Sequence, residues 1–344
     1  MRKQGDSGEM SHVNANFDSA AMPLFWKICD MLHDEVDPAE ESWQLLFASP
    51  GYRTLIDNEF SEQFFRENFA LAFQQSRHEA LQEALTGASK GYLQHLLLAQ
   101  SERAKVEGQV QWLLETPLDE MARSKAMEWL PKGTTGASPT VYFVIFGPDA
   151  RGYSAVVLDV AFTLQLEDLS AALAHEYHHV YRRQLAELPG KAPEEVRDIV
   201  WVLSQLQSEG IADQIDKRNW PEGGPTNGAP SGYVERYVRH FLNSADVVQA
   251  LSNGLEEYAR NPNRRAEIGK RLRKGVPLAG HPTGAYMVRI IEQAFGREAC
   301  IETFADPFEF TRLYSRAALR TTKAAPLSSA ALQVISEIEA TCET

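Results

Sequence analysis

Nine histidines occur in the chain, and three of them stand within the five-residue run His175-Glu176-Tyr177-His178-His179. His175 and His179 are four apart. On a helix they share one face, one turn above the other, so both imidazoles can reach a single cation. Glu176 stands three residues before His179 and borders the same face, where its carboxylate can hold a water rather than the metal. This is the mechanical content of the H-E-x-x-H spacing, and it predicts one zinc ion per chain held by His175 and His179, with Glu176 as a general base. His178 points about a hundred degrees away from His179 and reads as a packing or supporting residue.

A zinc ion that does chemistry needs a third protein ligand and an open fourth position. The best candidate is Glu209, in Ser208-Glu209-Gly210-Ile211-Ala212-Asp213; twenty-nine residues lie between it and His179, enough to turn and return an antiparallel helix. Gly210 has no Cβ and would let that helix approach closely. Asp213 shares a face with Glu209 and is expected to accept the second N–H of a zinc-binding histidine. His240, Glu235 and His281 compete with Glu209 for the third position. Zinc lowers the pKa of a bound water from about 16 toward about 7. Glu176 would then take the proton and deliver it to a leaving amine.

These groups must be carried by elements the sequence also announces. From Phe17 to Trp129 the pattern is helical, with apolar residues recurring as Leu24, Ile28, Leu32 and as Phe65, Phe69, Phe73, and with a break at Ser49-Pro50-Gly51. Thr140 to Phe146 and Tyr153 to Val160 read as two buried strands, expected to form an antiparallel hairpin with a longish loop. Glu167 and Asp168 suit the N-terminus of the His175 helix, Arg182 and Arg183 its C-terminal end, and Pro189-Gly190 its stop. Pro193 is expected to start the next helix, which runs to about Lys217. Trp220 to Pro225 opens a Gly/Pro loop, after which the chain is helical again, interrupted at Asn261-Pro262 and from Val276 to Gly284.

The bulk numbers describe an ordinary globular chain: 344 residues, 44% hydrophobic, 24% charged, formal net charge -13. An acidic chain lacks the basic footprint of a general nucleic-acid binder. The basic stretch Arg260 to Lys274 is diluted by Glu267 and reads as a solvated helix face. No apolar run approaches the eighteen residues of a membrane span, and the polar start, Met1 to Asn16, lacks the apolar core of a signal peptide. A cytoplasmic protein is therefore expected. Cys29, Cys300 and Cys342 are far apart and form no C-x-x-C pair, which fits a reducing compartment and excludes a cysteine zinc site.

The pair HEYHH and EGIAD resembles the gluzincin pattern, H-E-x-x-H followed by E-x-x-x-D on a second helix. That resemblance implies Glu209 as third zinc ligand and Asp213 as support for a zinc-binding histidine. More closely, the chain is similar to bacterial families described as zinc-dependent peptidases, through Trp43 to Leu55, Ala174 to Tyr181, Ser208 to Lys217 and Gly280 to Met287. Gluzincin-like sites often place a downstream His or Tyr at the developing oxyanion, which implies His281 or Tyr286 here, with Tyr233 and Tyr237 as weaker candidates. By analogy with the zincin edge strand, Ser154 to Asp159 would pair with an extended peptide.

The expected fold is a predominantly helical, zincin-like α+β protein with a small antiparallel sheet and two zinc-bearing helices. Residues 1–16 read as a disordered tail, 17–135 as an N-terminal helical region, 136–260 as the catalytic core and 261–344 as a C-terminal helical region completing the site. The expected function is a zinc peptidase acting on a peptide or protein. A zinc hydrolase of a non-peptide amide or ester, and a helical interaction protein with a structural or vestigial zinc site, are the other two readings. No residue encodes the oligomeric state.

Overall fold

The computed structural model describes residues 14, 16–186, 192–322 and 324–342. Apart from residues 14 and 16, the expected tail lies outside the described residues, as does the Pro189-Gly190 stop. The fold is predominantly helical α+β, with one small sheet. Two compact units divide the chain: Met1–Arg123 with Ala137–Ser170, and Ser124–Gly136 with Ala171–Thr344. Among the described residues no helix is long and apolar enough to cross a membrane.

The first unit is built on the aromatic spacing seen in the sequence. Phe65, Phe69 and Phe73 fall on one face of the helix Glu62–Phe73 and are buried. Phe25, from the helix Ala21–His33, meets Phe69 edge-to-face with ring centroids 5.4 Å apart. Ser49 separates the helices Glu40–Ala48 and Pro50–Asn58, with Pro50 at the first helical position. Cys29 packs here as buried filler, and burial pushes its thiol up to about 12.

The sheet of this unit has four strands: β1 (Phe17–Asp18), β2 (Val141–Val144), β3 (Ala150–Gly152) and β4 (Val156–Asp159), in the order β1-β2-β4-β3. The expected antiparallel hairpin is not formed. β2 and β4 run parallel, Val141 opposite Val156 and Val144 opposite Asp159, while β3 arises inside the expected loop and pairs antiparallel with β4. One buried carboxylate accounts for the arrangement. Asp159 Oδ2 accepts from the backbone N–H groups of Phe146 (2.6 Å) and Gly147 (3.0 Å). Its Oδ1 meets His95 Nε2 (2.9 Å) and accepts from Phe162 N–H (3.0 Å). These bonds fasten the C-terminal end of β2 beside the C-terminal end of β4, which only a parallel pair allows. The suggestion that Ser154 to Asp159 offers an edge to a peptide also falls, because β4 is flanked on both sides.

In the second unit the central element is the helix Arg197–Asp216, buried along most of its length. It begins at Arg197 rather than at Pro193, whose carbonyl instead closes a turn by accepting from Val196 and Arg197. It packs on the helix His281–Phe295. A Cβ on Gly210 would stand 2.6 Å from Gly284 O and 2.7 Å from Gly284 Cα, and one on Gly284 would stand 2.8 Å from Gly210 Cα. Only hydrogen fits at this crossing. The second helix starts at His281, inside the interruption expected from Val276 to Gly284. Leu278 (φ 46), Ala279 (φ 52) and Gly280 (φ 100) turn the chain sharply just before it. Two non-glycine residues in the left-handed region are held only where surrounding structure imposes them. Here Gly280 lies against Gln205 of the Arg197–Asp216 helix, where a Cβ would stand 3.1 Å from the Gln205 carbonyl carbon. The basic stretch that follows residue 260 is paired with acids, as in Arg271–Glu257 and Arg273–Asp198.

Gly210→Ala is expected to lower stability by roughly 2 kcal/mol or more, because backbone rather than a flexible side chain must move. Gly108→Ala, in the helix Arg103–Glu115 with nothing among the described residues within 4 Å of the added carbon, is expected to raise it by about 0.5–1 kcal/mol. Urea unfolding of both variants checks the pair; a Gly210→Ala midpoint equal to wild type would contradict the close contact.

Candidate metal centre

The helix Leu169–Leu185 carries HEYHH, with Asp168 accepting from the Ser170 hydroxyl at its start and Arg182 and Arg183 in its last turn. Helical spacing brings His175 and His179 into edge-to-face contact, ring centroids 4.8 Å apart. Their Nε2 atoms are 3.1 Å from each other. Glu209 reaches them from the helix Arg197–Asp216: its Oε2 is 3.1 Å from His179 Nε2 and 3.4 Å from His175 Nε2. The three donor atoms thus form a nearly equilateral triangle. Tetrahedral zinc with N and O ligands at about 2.0–2.2 Å sets its donors about 3.3–3.5 Å apart. Two imidazoles and a carboxylate at these separations fit zinc in both geometry and donor chemistry.

The remaining ring nitrogens are also engaged. His179 Nδ1 is 3.0 Å from Ser208 Oγ, and His175 Nδ1 is 3.0 Å from Asp216 Oδ1. Asp213, expected to support a zinc-binding histidine, lies 3.7 Å from His175 Nδ1, beyond hydrogen-bond reach. It holds His281 instead, with Oδ1 2.8 Å from His281 Nδ1, and its Oδ2 accepts from the Tyr237 hydroxyl at 2.9 Å. Ser208, Asp216 and Lys217 were not anticipated. Asp216 and Lys217 follow Glu209 by seven and eight residues, so the helical face that holds Glu209 and Asp213 continues through them. A reading that ends at E-x-x-x-D ends one turn short.

A second group of possible ligands shares His175: His175, Asp213 and His281. It already contains a cation. Lys217 Nζ is 3.0 Å from Asp213 Oδ1, 2.7 Å from Asp216 Oδ2 and 3.3 Å from His175 Nδ1.

Electrostatics in the cluster are governed by burial opposed by close partners. Burial pushes the Glu209 carboxyl up, but His179 and His281 outweigh it and hold the group well below its usual range. Burial and Lys217 both pull His175 down, and Asp216 with the two hydrogen bonds to carboxylates raises it well above an ordinary imidazole. His281 is raised in the same way, burial being overcome by Asp213 and Glu209. Burial also opposes charge on Lys217, yet Asp213 and Asp216 keep its ammonium protonated to well above the usual lysine value.

Of the other residues singled out in the sequence, His281 is in the cluster, its Nε2 3.4 Å from Glu209 Oε2. Tyr286 lies elsewhere. Its ring packs on Phe241 and Tyr314, centroids 5.9 and 6.4 Å away, and its hydroxyl bonds to Tyr314. The reason is the early start of its helix: five residues beyond His281 it faces a different side. Among the described residues His240 and Glu235 enter neither ligand group, and Glu235 is exposed. Tyr233 stands beside Trp220, ring centroids 6.0 Å apart. Glu176 is half-buried, and among the described residues no hydrogen bond or ion pair holds its carboxylate. His178 is fully buried against Phe304; among the described residues neither ring nitrogen has a hydrogen-bond partner of ordinary geometry, and burial holds its pKa well below 6.5.

The family described as "Putative zinc dependent peptidase (DUF5700)" matches residues 43–323, and the chain belongs to it. No curated protein and no solved structure matches the chain.

His178→Leu is expected to leave metal uptake unchanged and to raise stability by about 1 kcal/mol, since it removes two buried polar atoms that make no hydrogen bond of ordinary geometry among the described residues. Thermal melting with parallel metal analysis checks this, and loss of metal in the variant would show that His178 belongs among the ligands.

Proposed function

We propose that the chain is a zinc peptidase whose ion is held by His175, His179 and Glu209. The observation that carries the reading is the donor triangle, with edges of 3.1, 3.1 and 3.4 Å, built on an H-E-x-x-H helix. The family description supports the choice of metal and of a peptide substrate. A bound zinc supplies Lewis acidity to a scissile carbonyl and lowers the pKa of a water at the site toward about 7.

The chain's own residues do the rest. Asp216 and Ser208 fix the rings of His175 and His179, so that each presents Nε2 toward Glu209. Glu176, unpaired among the described residues and bordering the same helix face, takes a proton from the attacking water and returns it to the leaving nitrogen. His281 is held by Asp213 through Nδ1, which leaves Nε2 directed toward Glu209 and available to donate to the negative charge that develops on the carbonyl oxygen. Tyr286 has no part in this scheme. One zinc per chain is proposed, because Lys217 takes the cation position of the neighbouring group.

Elemental mass spectrometry of wild type, Glu176→Gln, His175→Ala and Glu209→Ala, with a peptide-library assay on the same samples, tests the assignment. Wild type and Glu176→Gln are expected to carry one zinc each, and the other two far less. Cleavage is expected to fall about a hundredfold to ten-thousandfold in Glu176→Gln. Zinc without peptide cleavage in wild type would move the reading to a non-peptide amide or ester; wild type that takes up no zinc would end it.

A further inference from the structure

Lys217 is a charged side chain only 11% exposed, and the proposed chemistry gives it no step. Its ammonium sits where three helices meet. It donates to Asp213 Oδ1 at 3.0 Å and to Asp216 Oδ2 at 2.7 Å, both on the helix Arg197–Asp216 that Lys217 directly follows. Each carboxylate then turns another oxygen, or the same one, to a histidine on a different helix: Asp216 Oδ1 to His175 and Asp213 Oδ1 to His281. Trp220 closes the far side, its ring centroid 5.9 Å from the ammonium.

We infer that Lys217 is a positioning residue that acts through Asp216 to orient the metal-facing ring of His175, and through Asp213 to orient His281. The physical argument is one of pairing. Asp213 and Asp216 stand three apart on one buried face, and the ammonium between them is the donor both carboxylates share. Without it both lose that anchor, and the histidine each one holds is no longer fixed in place. Orienting carboxylates of this kind contribute about ten- to a hundredfold to metal affinity. The inference rests on the zinc assignment above.

The two arms predict different losses. Zinc affinity measured by competition with a chromophoric chelator is expected to weaken about ten- to a hundredfold in Lys217→Met and in Asp216→Asn. The double variant is expected to be no weaker than the worse single one, because Lys217 works through Asp216. Asp213→Asn is expected to stay within about threefold of wild type, since its histidine is not one of the three ligands. A purely structural role would lower the melting temperature of the metal-free protein and leave the affinity of the folded fraction unchanged. If Lys217→Met does not fold, Lys217→Met combined with Asp213→Asn, which removes one charge of each sign, is compared with Asp213→Asn alone, and the same tenfold loss is expected. A Lys217 variant that folds and binds zinc within threefold of its reference, or losses that multiply in the double variant, overturns the inference while the zinc assignment stands. A wild type that takes up no zinc overturns both.

Discussion

At Gly210 and Gly284 two helices meet backbone against backbone, and the geometry of the histidine–carboxylate cluster in the second unit follows from that contact. Glu209 precedes one glycine and His281 lies one helical turn before the other. Bringing the helix axes this close carries His281 Nδ1 to within 2.8 Å of Asp213 and His281 Nε2 to within 3.4 Å of Glu209. The same approach explains the strained turn at Leu278 and Ala279. A relaxed turn would deliver the chain to the helix start at a greater distance, and the packing against Gln205 holds the tighter one in place.

The second governing feature is a cluster of charge that could not stand alone. Glu209, Asp213, Asp216, Lys217, His175 and His281 are all withdrawn from solvent, and each is within hydrogen-bond or ion-pair distance of another. Isolated charges in such a place would be strongly disfavoured, and the groups are tolerated because they satisfy one another. A helical face of four polar residues, repeated over more than two turns and turned inward, makes little sense as packing. It makes sense as a frame whose purpose is to hold ring nitrogens at set positions. The first unit uses the same device on a smaller scale, where Asp159 alone ties two strand ends, a helix start and His95 together.

The sequence by itself determined the helical class, the aromatic core positions and the residues whose spacing is purely local. His175 and His179 share a face because four residues are about one helical turn, and Phe65, Phe69 and Phe73 are buried together for the same reason. The family resemblance, read from HEYHH, EGIAD and GHPTGAYM, agrees with the match over residues 43–323. The nearness of Glu209 to the two histidines could be argued from the sequence, but only because an intervening turn and a glycine made the return of a helix plausible.

What the tertiary structure decided depends on contacts between segments far apart in the chain. Two consecutive apolar strands joined by a longish loop look like a hairpin, and nothing local reveals that Asp159 bonds backward to Phe146 and Gly147 and that the pair runs parallel. Spacing along one helix leaves open which histidine Asp213 supports; the structure pairs Asp213 with His281 and Asp216 with His175, because the rotation between packed helices sets which carboxylate a ring meets. The resemblance implies His281 or Tyr286 equally, and the helix that starts at His281 turns Tyr286 to another side. Periodicity names the face of a helix, whereas the angle at which two faces meet is settled only when both are packed.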